Sequence, residues 1–465
     1  MNNVLRFPVL SAFLCLAILG GGCALNPDYV RPALDMPSQW RPNLADQGDL
    51  RSDWWTLYQD ETLNTLISQA LEHNHDLAMA IARIDEAKAY LGMARADQLP
   101  SISGEAGTSR GDPSGLLRVD NTHTLNASAF FEIDLWGKYR RASESARAEL
   151  LATESAYRTV RLTIIAETAR AYFALLSIDN QLATAQDTLK TRIRAEKLYH
   201  NRFVEGLSGE LEYRQSEVET TTAKAQVQNL EIAQAQAENA LAVLIGRTPR
   251  QIVEESLSRP VPLDMLSVPV LVPADLPSSL IERRPDIIEA EHMLHAATAN
   301  IGVAKAAFFP SISLTGQFGW ASSEFDSIMA PGFRQWSVGG GLLQPLFQGG
   351  RLKAQLEAAN ARQREAYALY HKTVSNAFRE VLDALTANRI TRERLVTIQT
   401  QVKKLRRTLV LANLRYESGH TNFLEVLDAQ RALFNSEIEL ARAYQAQLDA
   451  VTNLCQALGG GWEQR

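Results

Sequence analysis

The chain lacks the features that hold disulfide-rich proteins together and those that bind nucleic acid. It has three cysteines, and two of them, Cys15 and Cys23, fall within or next to an apolar leader, which excludes an intrachain disulfide framework. A net charge of -6 without a basic stripe argues against a nucleic-acid partner. After the leader there is no run of roughly 18 apolar residues, which excludes a transmembrane helix. Stability must therefore come from packing and assembly.

The first 22 residues are typical of an export signal. Arg6 precedes the apolar run VLSAFLCLAIL, which is too short to span a membrane comfortably, and GGGC ends at Cys23. The small residue before Cys23 predicts a lipoprotein signal peptidase site, with a covalent lipid on Cys23 and no other cofactor. By resemblance to bacterial lipoproteins, Ala24 favours the outer membrane. A plain secretory signal that is cut nearby is the alternative.

Most of the chain is present twice. The letters PSIS occur at 100–103 and again at 310–313, and the residues before each copy also match at the same separation of 210 positions. Later matches lie 213 positions apart, among them Arg202 with Arg415, Gly206 with Gly419, and Glu212 with Glu425. A separation that stays nearly constant over so long a stretch predicts a duplicated domain rather than a solenoid of short repeats.

Each repeat is predicted to open with a short helix, at about 60–95 and at about 278–306. Each then contains stretches with the two-residue period of β-strands. In THTLNASAFFEIDLW at 122–136, apolar and polar residues alternate from Leu125 to Leu135, and a similar alternation runs from Ser311 to Trp320. Loop-like connections predict one long hairpin per repeat. Such strands fit either a half-buried soluble sheet or a barrel wall between lipid and water. Four strands cannot close a bacterial barrel, which needs at least about eight, so a barrel would require several chains.

Two runs at about 140–200 and 351–415 contain no proline and almost no glycine. At 1.5 Å per residue each predicts a helix of roughly 90 Å, and uncapped patterns of this length indicate a coiled coil. A heptad seam is visible in the steps of four and three residues between Ile398, Val402, Leu405, Leu409, Ala412 and Tyr416.

Shorter helices are predicted to return after tight turns. They cover about 212–245 and 425–458 and follow Gly206 and Gly419, which we interpret as helix-ending glycines with positive φ. Helical hairpins of this kind bury only a narrow stripe and therefore need lateral neighbours. The proline-rich stretch 246–276 is interpreted as the linker between the two repeats.

The segment RRPDIIEAEHMLHAATANIGVAKAAFFPSISLTG at 283–316 resembles the signature of TolC-like outer-membrane efflux proteins, and the lipidated OprM/NodT-type branch is the most similar. Four further segments agree with this family, at 53–71, 131–141, 345–361 and 414–433. The resemblance covers nearly the whole mature chain, and its motifs occur in the expected order.

This resemblance implies an α+β membrane protein with a duplicated unit of β-hairpin plus long coiled-coil helices. Three chains would share a 12-stranded β-barrel, continued by a 12-helix α-barrel in the periplasm, since three times four strands gives an even number that closes. The implied function is that of a passive, non-enzymatic exit duct for drugs or other small molecules in a tripartite, RND-type efflux system. The implied partners are two further copies, a periplasmic adaptor (membrane fusion) protein, an inner-membrane pump and outer-membrane lipid.

The resemblance and the repeat together predict the domain boundaries. The first repeat would place its strands at about 97–136 and its tip at about 203–212, and the second at about 308–347 and 416–425. The predicted segments are a signal peptide (1–22), an anchored extension (23–58), the first repeat (59–245), the linker (246–277), the second repeat (278–458) and a tail (459–465).

The family resemblance also suggests gate residues. Glu425 and Asp428 lie three apart on one helix face and match inward-facing acids at the family's periplasmic constriction, where a trimer would form two carboxylate rings. Glu212 and Tyr416 match positions that hold the tip helices closed. Thr421 stands where the best-known member has a basic locking residue, so a salt-bridge lock is doubtful. An ordinary solvated acidic face, and plain packing for Tyr416, are the alternatives.

The resemblance also implies that the turns at Gly206 and Gly419 are where an adaptor would dock.

Other motifs point to no chemistry. HNH at 73–75 and the pair His292 and His295 have metal-ligand spacing, but without a cysteine or a compact carboxylate set we expect packing or surface roles and no metal. SGELE and FQGGR lack the strand–loop–lysine context of a phosphate loop.

Two alternatives to the drug-efflux duct remain open from the sequence. One is an exit duct for type I secretion or for metal-ion efflux, although seven scattered methionines give a copper or silver exporter little support. The other is a non-spanning periplasmic coiled-coil adaptor lipoprotein. An adaptor would carry a single helical hairpin between compact β domains, whereas this chain has two hairpins and amphipathic strands.

Overall fold

The protein is seen in a computed structural model that describes residues 28–35, 53–111, 120–259, 261–269 and 282–460. The predicted signal and Cys23 lie outside the described residues. The chain forms two compact units. The sheet unit comprises Met1–Leu34, Ala82–Ser155 and Ile287–Thr373. The helical unit comprises Asp35–Ile81, Ala156–Asp286 and Val374–Arg465.

Long α-helices dominate the described residues. The helices are α1 (Glu61–His73), α2 (His75–Ala96), α3 (Lys138–Val204), α4 (Glu210–Leu244), α5 (Pro249–Glu254), α6 (Pro285–Ala306), α7 (Arg351–Glu417) and α8 (Phe423–Ala457). The strands are β1 (Ser101–Gly111), β2 (Asp120–Ile133), β3 (Ser311–Ser322) and β4 (Arg334–Leu343). Among the described residues, no helix combines the length and the apolar character needed to cross a membrane.

The predicted duplication is confirmed by the helix lengths. Helices α2 and α6 both have 22 residues. Helices α3 and α7 both have 67 residues, and α4 and α8 both have 35. The starts of α2 and α6 are separated by 210 positions, whereas the starts of the two longer pairs are separated by 213. Equivalent residues of the two repeats can therefore be compared one by one.

The first predicted helix, at about 60–95, is in fact two helices that meet at Asn74. The Asn74 side chain accepts hydrogen bonds from the backbone N–H groups of Asp76 at 2.8 Å and Leu77 at 3.2 Å, and so caps α2. Its Nδ2 donates to the carbonyl of Leu244 at 2.8 Å. Asn74, the middle residue of the HNH motif, is therefore a buried N-cap residue. In the second repeat α6 begins at Pro285 and is preceded by helical residues at 282–283, whereas the predicted helix start near 278 lies outside the described residues.

The four strands form one antiparallel sheet in the order β1-β2-β3-β4. They are shorter than the predicted spans, since β2 ends at Ile133 and β4 at Leu343. The pairing places apolar side chains together on one face, including Ile102, Leu125, Phe131, Leu314, Phe318, Trp336, Val338 and Leu342. The opposite face includes Ser103, Glu105, Asn126, Ser128, Gln317 and Ser337. The predicted alternation is thus present across the whole sheet.

The helical unit has a packed core and a coiled-coil seam. Tyr58 donates to or accepts from Thr452 at 2.8 Å, and Tyr172 donates to Asp60 at 2.7 Å, so that two buried hydroxyls are satisfied. Along the predicted heptad seam, Ile398 and Val402 are buried in a cluster with Ala443 of α8. The seam therefore joins the two helices of the second hairpin.

Candidate functional site

The two helical hairpins end in turns of the same geometry. At the first tip Gly206 has φ 73° and donates to the Phe203 carbonyl, while Leu207 donates to the Arg202 carbonyl at 2.7 Å. At the second tip Gly419 has φ 71° and donates to the Tyr416 carbonyl, while His420 donates to the Arg415 carbonyl. These are Schellman caps, for which glycine is favoured because it adopts positive φ without strain.

The acidic pair lies at the start of α8, beside two arginines. Glu425 accepts a hydrogen bond from the Thr421 hydroxyl and is 3.1 Å from Arg415 Nη1. The side chain of Asp428 is 68% exposed, and its Oδ1 is 3.9 Å from Nη1 of Arg431. Each acid of the pair therefore has a cation on the same hairpin.

Tyr416 belongs to an aromatic cluster rather than standing free. Its ring centroid is 5.6 Å from that of Phe423 and 6.5 Å from that of Tyr199 on α3. Tyr199 and Phe423 are buried and 4.3 Å apart, and burial together with a hydrogen bond to Tyr416 raises the pKa of Tyr199 far above its usual range. The cluster fastens the first hairpin to the second near their tips.

Glu212 is half-buried at the start of α4. Its Oε2 folds back over the turn, so that a Cβ placed on Gly209 would lie 3.1 Å from it. Glu212 and Glu425 are equivalent residues of the two repeats, but only the latter is joined to an arginine at the corresponding end of the preceding helix, Arg415.

A buried charge network that the sequence reasoning missed lies near the tips. Glu219 of α4 is 2.8 Å from Arg192 Nη1 of α3 and accepts from Nε of Arg431 of α8 at 2.7 Å. Arg192 and Glu219 each have side chains only 7% exposed. Burial lowers the pKa of Arg192, because the charged form is costly to desolvate, while Glu219 opposes this effect. One carboxylate thus ties three helices together.

The repeat carries a signal for this network. Arg192 aligns with Leu405, a residue of the predicted heptad seam, at the separation of 213 positions. A charged residue at a seam position implies a buried partner, since an unpaired charge there would be strongly destabilising. Comparing the two repeats position by position would therefore have identified Arg192.

Of the histidines with metal-ligand spacing, His295 takes part in packing, His292 is half-buried, and His73 and His75 are exposed. His295 of α6 is hydrogen-bonded through Nε2 to Glu144 of α3 at 2.9 Å and stacks on Tyr29 with ring centroids 4.7 Å apart. Although burial favours the protonated acid, hydrogen bonds from His295 and Arg141 hold the pKa of Glu144 below its ordinary value. Among the described residues, no group of three or more His, Cys, Asp or Glu side chains could hold a metal ion.

Comparison with known proteins agrees with this architecture. The sequence profile of the family described as "Outer membrane efflux protein" matches residues 66–247 and again 276–460, which are the two repeats. The match therefore covers both helical hairpins and all four strands.

Relatives match over nearly their full length. The cation efflux system protein CusC of Escherichia coli O6:H1 is 36% identical, with 97% of this chain and 98% of the relative covered. The solvent efflux pump outer membrane protein SrpC of Pseudomonas putida is also 36% identical, with 98% and 99% covered. The outer membrane channel CmeC of Campylobacter jejuni superposes with a TM-score of 0.89 at 25% identity, covering 95% of this chain and 96% of that one.

These matches confirm the predictions of a bacterial outer-membrane location, of a non-enzymatic protein and of an efflux channel. They also exclude the non-spanning adaptor, since an outer-membrane efflux profile matches both repeats. The chain therefore belongs to the outer membrane efflux protein family, as the outer-membrane channel of a tripartite efflux system.

Proposed function

We propose that three copies of this chain assemble into a closed duct that carries drugs or other small molecules passively from the periplasm to the exterior. The observation that carries the proposal is the sheet with an apolar, solvent-exposed face and two open edges. Ile102, Trp336 and Val338 on that face are 79%, 73% and 80% exposed. Lipid would cover such a face, and three four-stranded sheets would give a closed barrel of about twelve strands.

The glycines of the sheet support a polar interior. On the polar face a Cβ at Gly319 would lie 2.2 Å from the Leu125 carbonyl oxygen, and one at Gly341 would lie 3.1 Å from Ser313 Oγ. On the apolar face the space beside Gly104 is open. A sheet that curves towards one face has little room for side chains on that face. Glycines at the crowded positions permit this curvature. The polar side would therefore line the duct.

The gate is proposed at the tips, formed by Glu425 and Asp428 of each copy. Arg415 and Arg431 partly balance these acids, so the constriction would be acidic without carrying the full repulsion of six bare carboxylates. The basic residue missing at Thr421 would be replaced in function by Arg431, which is held in place by Glu219. Tyr416 and Glu212 would restrain the two hairpins beside it.

We propose one set of partners at the outer membrane and another at the tips of the hairpins. A lipid on Cys23 would hold the N-terminus at the outer membrane. A periplasmic adaptor would dock at the turns of Gly206 and Gly419, where Leu207 is 70% exposed, and would link the duct to an inner-membrane pump. Cations are a second candidate cargo, because the similarity to CusC is as high as that to SrpC.

The proposal is tested by single-channel conductance of the detergent-extracted protein in planar bilayers. Wild-type protein should show a small, cation-preferring conductance. The double variant Glu425→Ala/Asp428→Ala should show a larger conductance, a weaker cation preference, or both, because the acidic constriction would be removed.

A charge-matched control is Glu254→Ala/Glu255→Ala, which removes two acids at and just after α5, far from the tips in sequence. It should conduct as the wild type does. A conductance that the tip variant leaves unchanged would place the gate elsewhere while keeping the channel. The absence of conductance in every variant, together with a monomeric size in detergent, would contradict the proposed assembly.

A further inference from the structure

The apolar face of the sheet ends differently at its two ends. At one end the strands join α2, α3, α6 and α7, and the last residues on this face are all apolar, namely Ile102, Ile133, Ile312 and Leu342. At the other end the strands join the two hairpin connections, and the last residues on the same face are all polar, namely Arg110, Asn121, Ser322 and Arg334. We call this second set the polar rim.

The basic residues at the two ends also differ in their pairing. At the helix end Lys138 is 3.1 Å from Glu132, and a second ion pair follows at the start of α3. At the polar rim Arg110 and Arg334 are exposed, and neither has an ion-pair partner among the described residues. Two guanidinium groups at the margin of an apolar face therefore lack a counter-ion from the described chain.

Aromatic side chains lie next to the polar rim. Trp320 is the register partner of Arg334, and Trp336, two residues further along β4 on the same face, is 73% exposed. Phe325, in the connection after β3, is 69% exposed and meets the ring of His123 edge-on at 5.5 Å. Tryptophan is enriched where the hydrocarbon of a membrane gives way to lipid headgroups. The rim therefore has the composition of a headgroup-level belt.

We propose that Arg110 and Arg334 bind the phosphate groups of anionic lipids in the outer leaflet of the outer membrane. The proposal rests on the proposed function, which places lipid against this face and the hairpin connections at the exterior. Guanidinium groups bind phosphate oxygens through paired, charge-assisted hydrogen bonds. The amide of Asn121, the register partner of Arg110, is exposed beside it and is a further donor.

The ligand is a lipid rather than a soluble phosphate because the rim is continuous with the apolar face. A phosphate held at Arg334 would place acyl chains over Trp336, Val338 and Leu342, which follow on the same face of β4 and are exposed. A lipid would therefore cover apolar surface and supply the missing counter-ion in a single contact. Soluble phosphate would supply only the counter-ion.

The spacing of the two arginines predicts separate phosphates. Strands β1 and β4 are the outer strands of the sheet, so three strand spacings, or roughly 14 Å, separate them. The register also displaces Arg110 from Arg334 along the strand direction by four residues, or about 13 Å. One phosphate cannot reach both guanidinium groups. The two positions should therefore contribute independently to lipid binding.

Lipid retention by the detergent-extracted full chain tests the proposal. The protein would be washed on an affinity column in mixed micelles that contain lipid A with two phosphates, and the lipid phosphate retained per protein would be measured. Arg110→Gln/Arg334→Gln should retain about tenfold less lipid than the wild type. Each single variant should retain an intermediate amount, and Arg110→Lys/Arg334→Lys should retain more than the glutamine pair because it keeps both charges.

Two controls separate this site from general attraction of anions. Arg147→Gln/Arg364→Gln removes two exposed arginines of α3 and α7 and should retain lipid as the wild type does. An excess of inorganic pyrophosphate should displace little lipid, because it cannot cover the apolar face. Complete displacement would mean that the rim recognises soluble phosphate, which would overturn the assignment to a lipid.

The assembly state distinguishes failure of this site from failure of the duct. Equal retention by the wild type and the double glutamine variant, or retention by neither, in trimers that conduct would overturn the lipid site alone. Monomers in detergent that do not conduct would instead contradict the proposed function.

Discussion

The two helical hairpins share a backbone but differ in the side chains that they present at their tips. At the first tip Val204 and Leu207 are each 70% exposed, and at the second the equivalent residues are Glu417 and His420. The caps at Gly206 and Gly419 have nearly the same φ and the same hydrogen bonds. The duplication has therefore preserved how each hairpin turns, while substitution has changed which side chains each tip presents.

The difference continues into the helices behind the tips. The second hairpin has Asp428 and Arg431 where the first has Gln215 and Val218. Glu219 of the first hairpin binds that arginine. The comparison teaches that the two hairpins are complementary, because charges gained in one are satisfied by charges gained in the other.

The largest expected effect comes from breaking this complementarity at Glu219. Glu219→Gln leaves the buried Arg192 without a carboxylate, and breaking a buried ion pair from one side costs about 3–5 kcal/mol. The variant should unfold at a lower temperature or urea concentration, followed by helical circular dichroism in detergent. Glu217→Gln, which removes only the ion pair of a half-buried acid with Arg214 on the same helix, should be destabilised far less.

A double variant separates lost charge pairing from lost packing. Arg192→Leu/Glu219→Ala gives both positions the residues of the second repeat, Leu405 and Ala432. It should recover a large part of the stability lost in Glu219→Gln, because no buried charge remains without a partner on α3. If the double variant were less stable than the single one, packing by the Arg192 side chain would be the main contribution.

A smaller effect is expected at Asp449 of α8, where the first repeat has the neutral Gln236. Burial raises the pKa of Asp449 to about 6, and its buried Oδ1 has no hydrogen-bond partner. Because the folded-state pKa is raised, the stability associated with the protonated acid is present below about pH 4 and is lost as the pH rises through 6. Asp449→Asn should therefore gain roughly 2–3 kcal/mol at pH 7.5.

The pH profile provides the internal control for Asp449→Asn. Unfolding temperatures measured from pH 4 to 8 should be nearly equal for wild type and variant at the acid end, diverge between about pH 4 and 6, and keep a constant separation above pH 6. A constant difference at all pH values would mean that the variant acts through packing and not through ionisation.

The smallest effect tests whether the two turns are truly equivalent. A Cβ on Gly206 or on Gly419 would meet nothing within 4 Å, so only the positive φ opposes a side chain. Gly206→Ala and Gly419→Ala should each lower the free energy of unfolding by about 1–2 kcal/mol, and the two losses should be equal. Unequal losses, measured by the same unfolding assay, would show that one turn is restrained by contacts that the other lacks.

Local patterns were sufficient to predict most of the fold. The period of two in THTLNASAFFEID and the proline-free runs gave the strands and the long helices, and the glycines at the turns gave their ends. The break at Asn74 was missed because the Asn74 cap is a single residue inside a helical pattern, and the hydrogen bond that holds it in place reaches Leu244, which is distant in sequence. A polar residue between two apolar helical stretches does not by itself reveal such a partner.

The candidate site was predictable only in part. The resemblance to a family drew attention to Glu425 and Asp428, but it gave no reason to expect Arg415 or Arg431 beside them. The network around Glu219 joins residues on three helices, and such pairing depends on helix packing that no single sequence window contains. In the sequence, the network is marked by the differences between the repeats, such as Arg192 against Leu405 and Glu219 against Ala432.

The burial of Cys455 bears on how the protein responds to oxidation outside the cytoplasm. Its thiol is fully buried in α8, and burial raises its pKa far above the usual range, so it forms little thiolate. With no second cysteine near it in the described chain, this thiol has no partner there for an intrachain disulfide, and burial protects it from oxidants in the folded state. The stability of the described structure is therefore independent of the redox state around it.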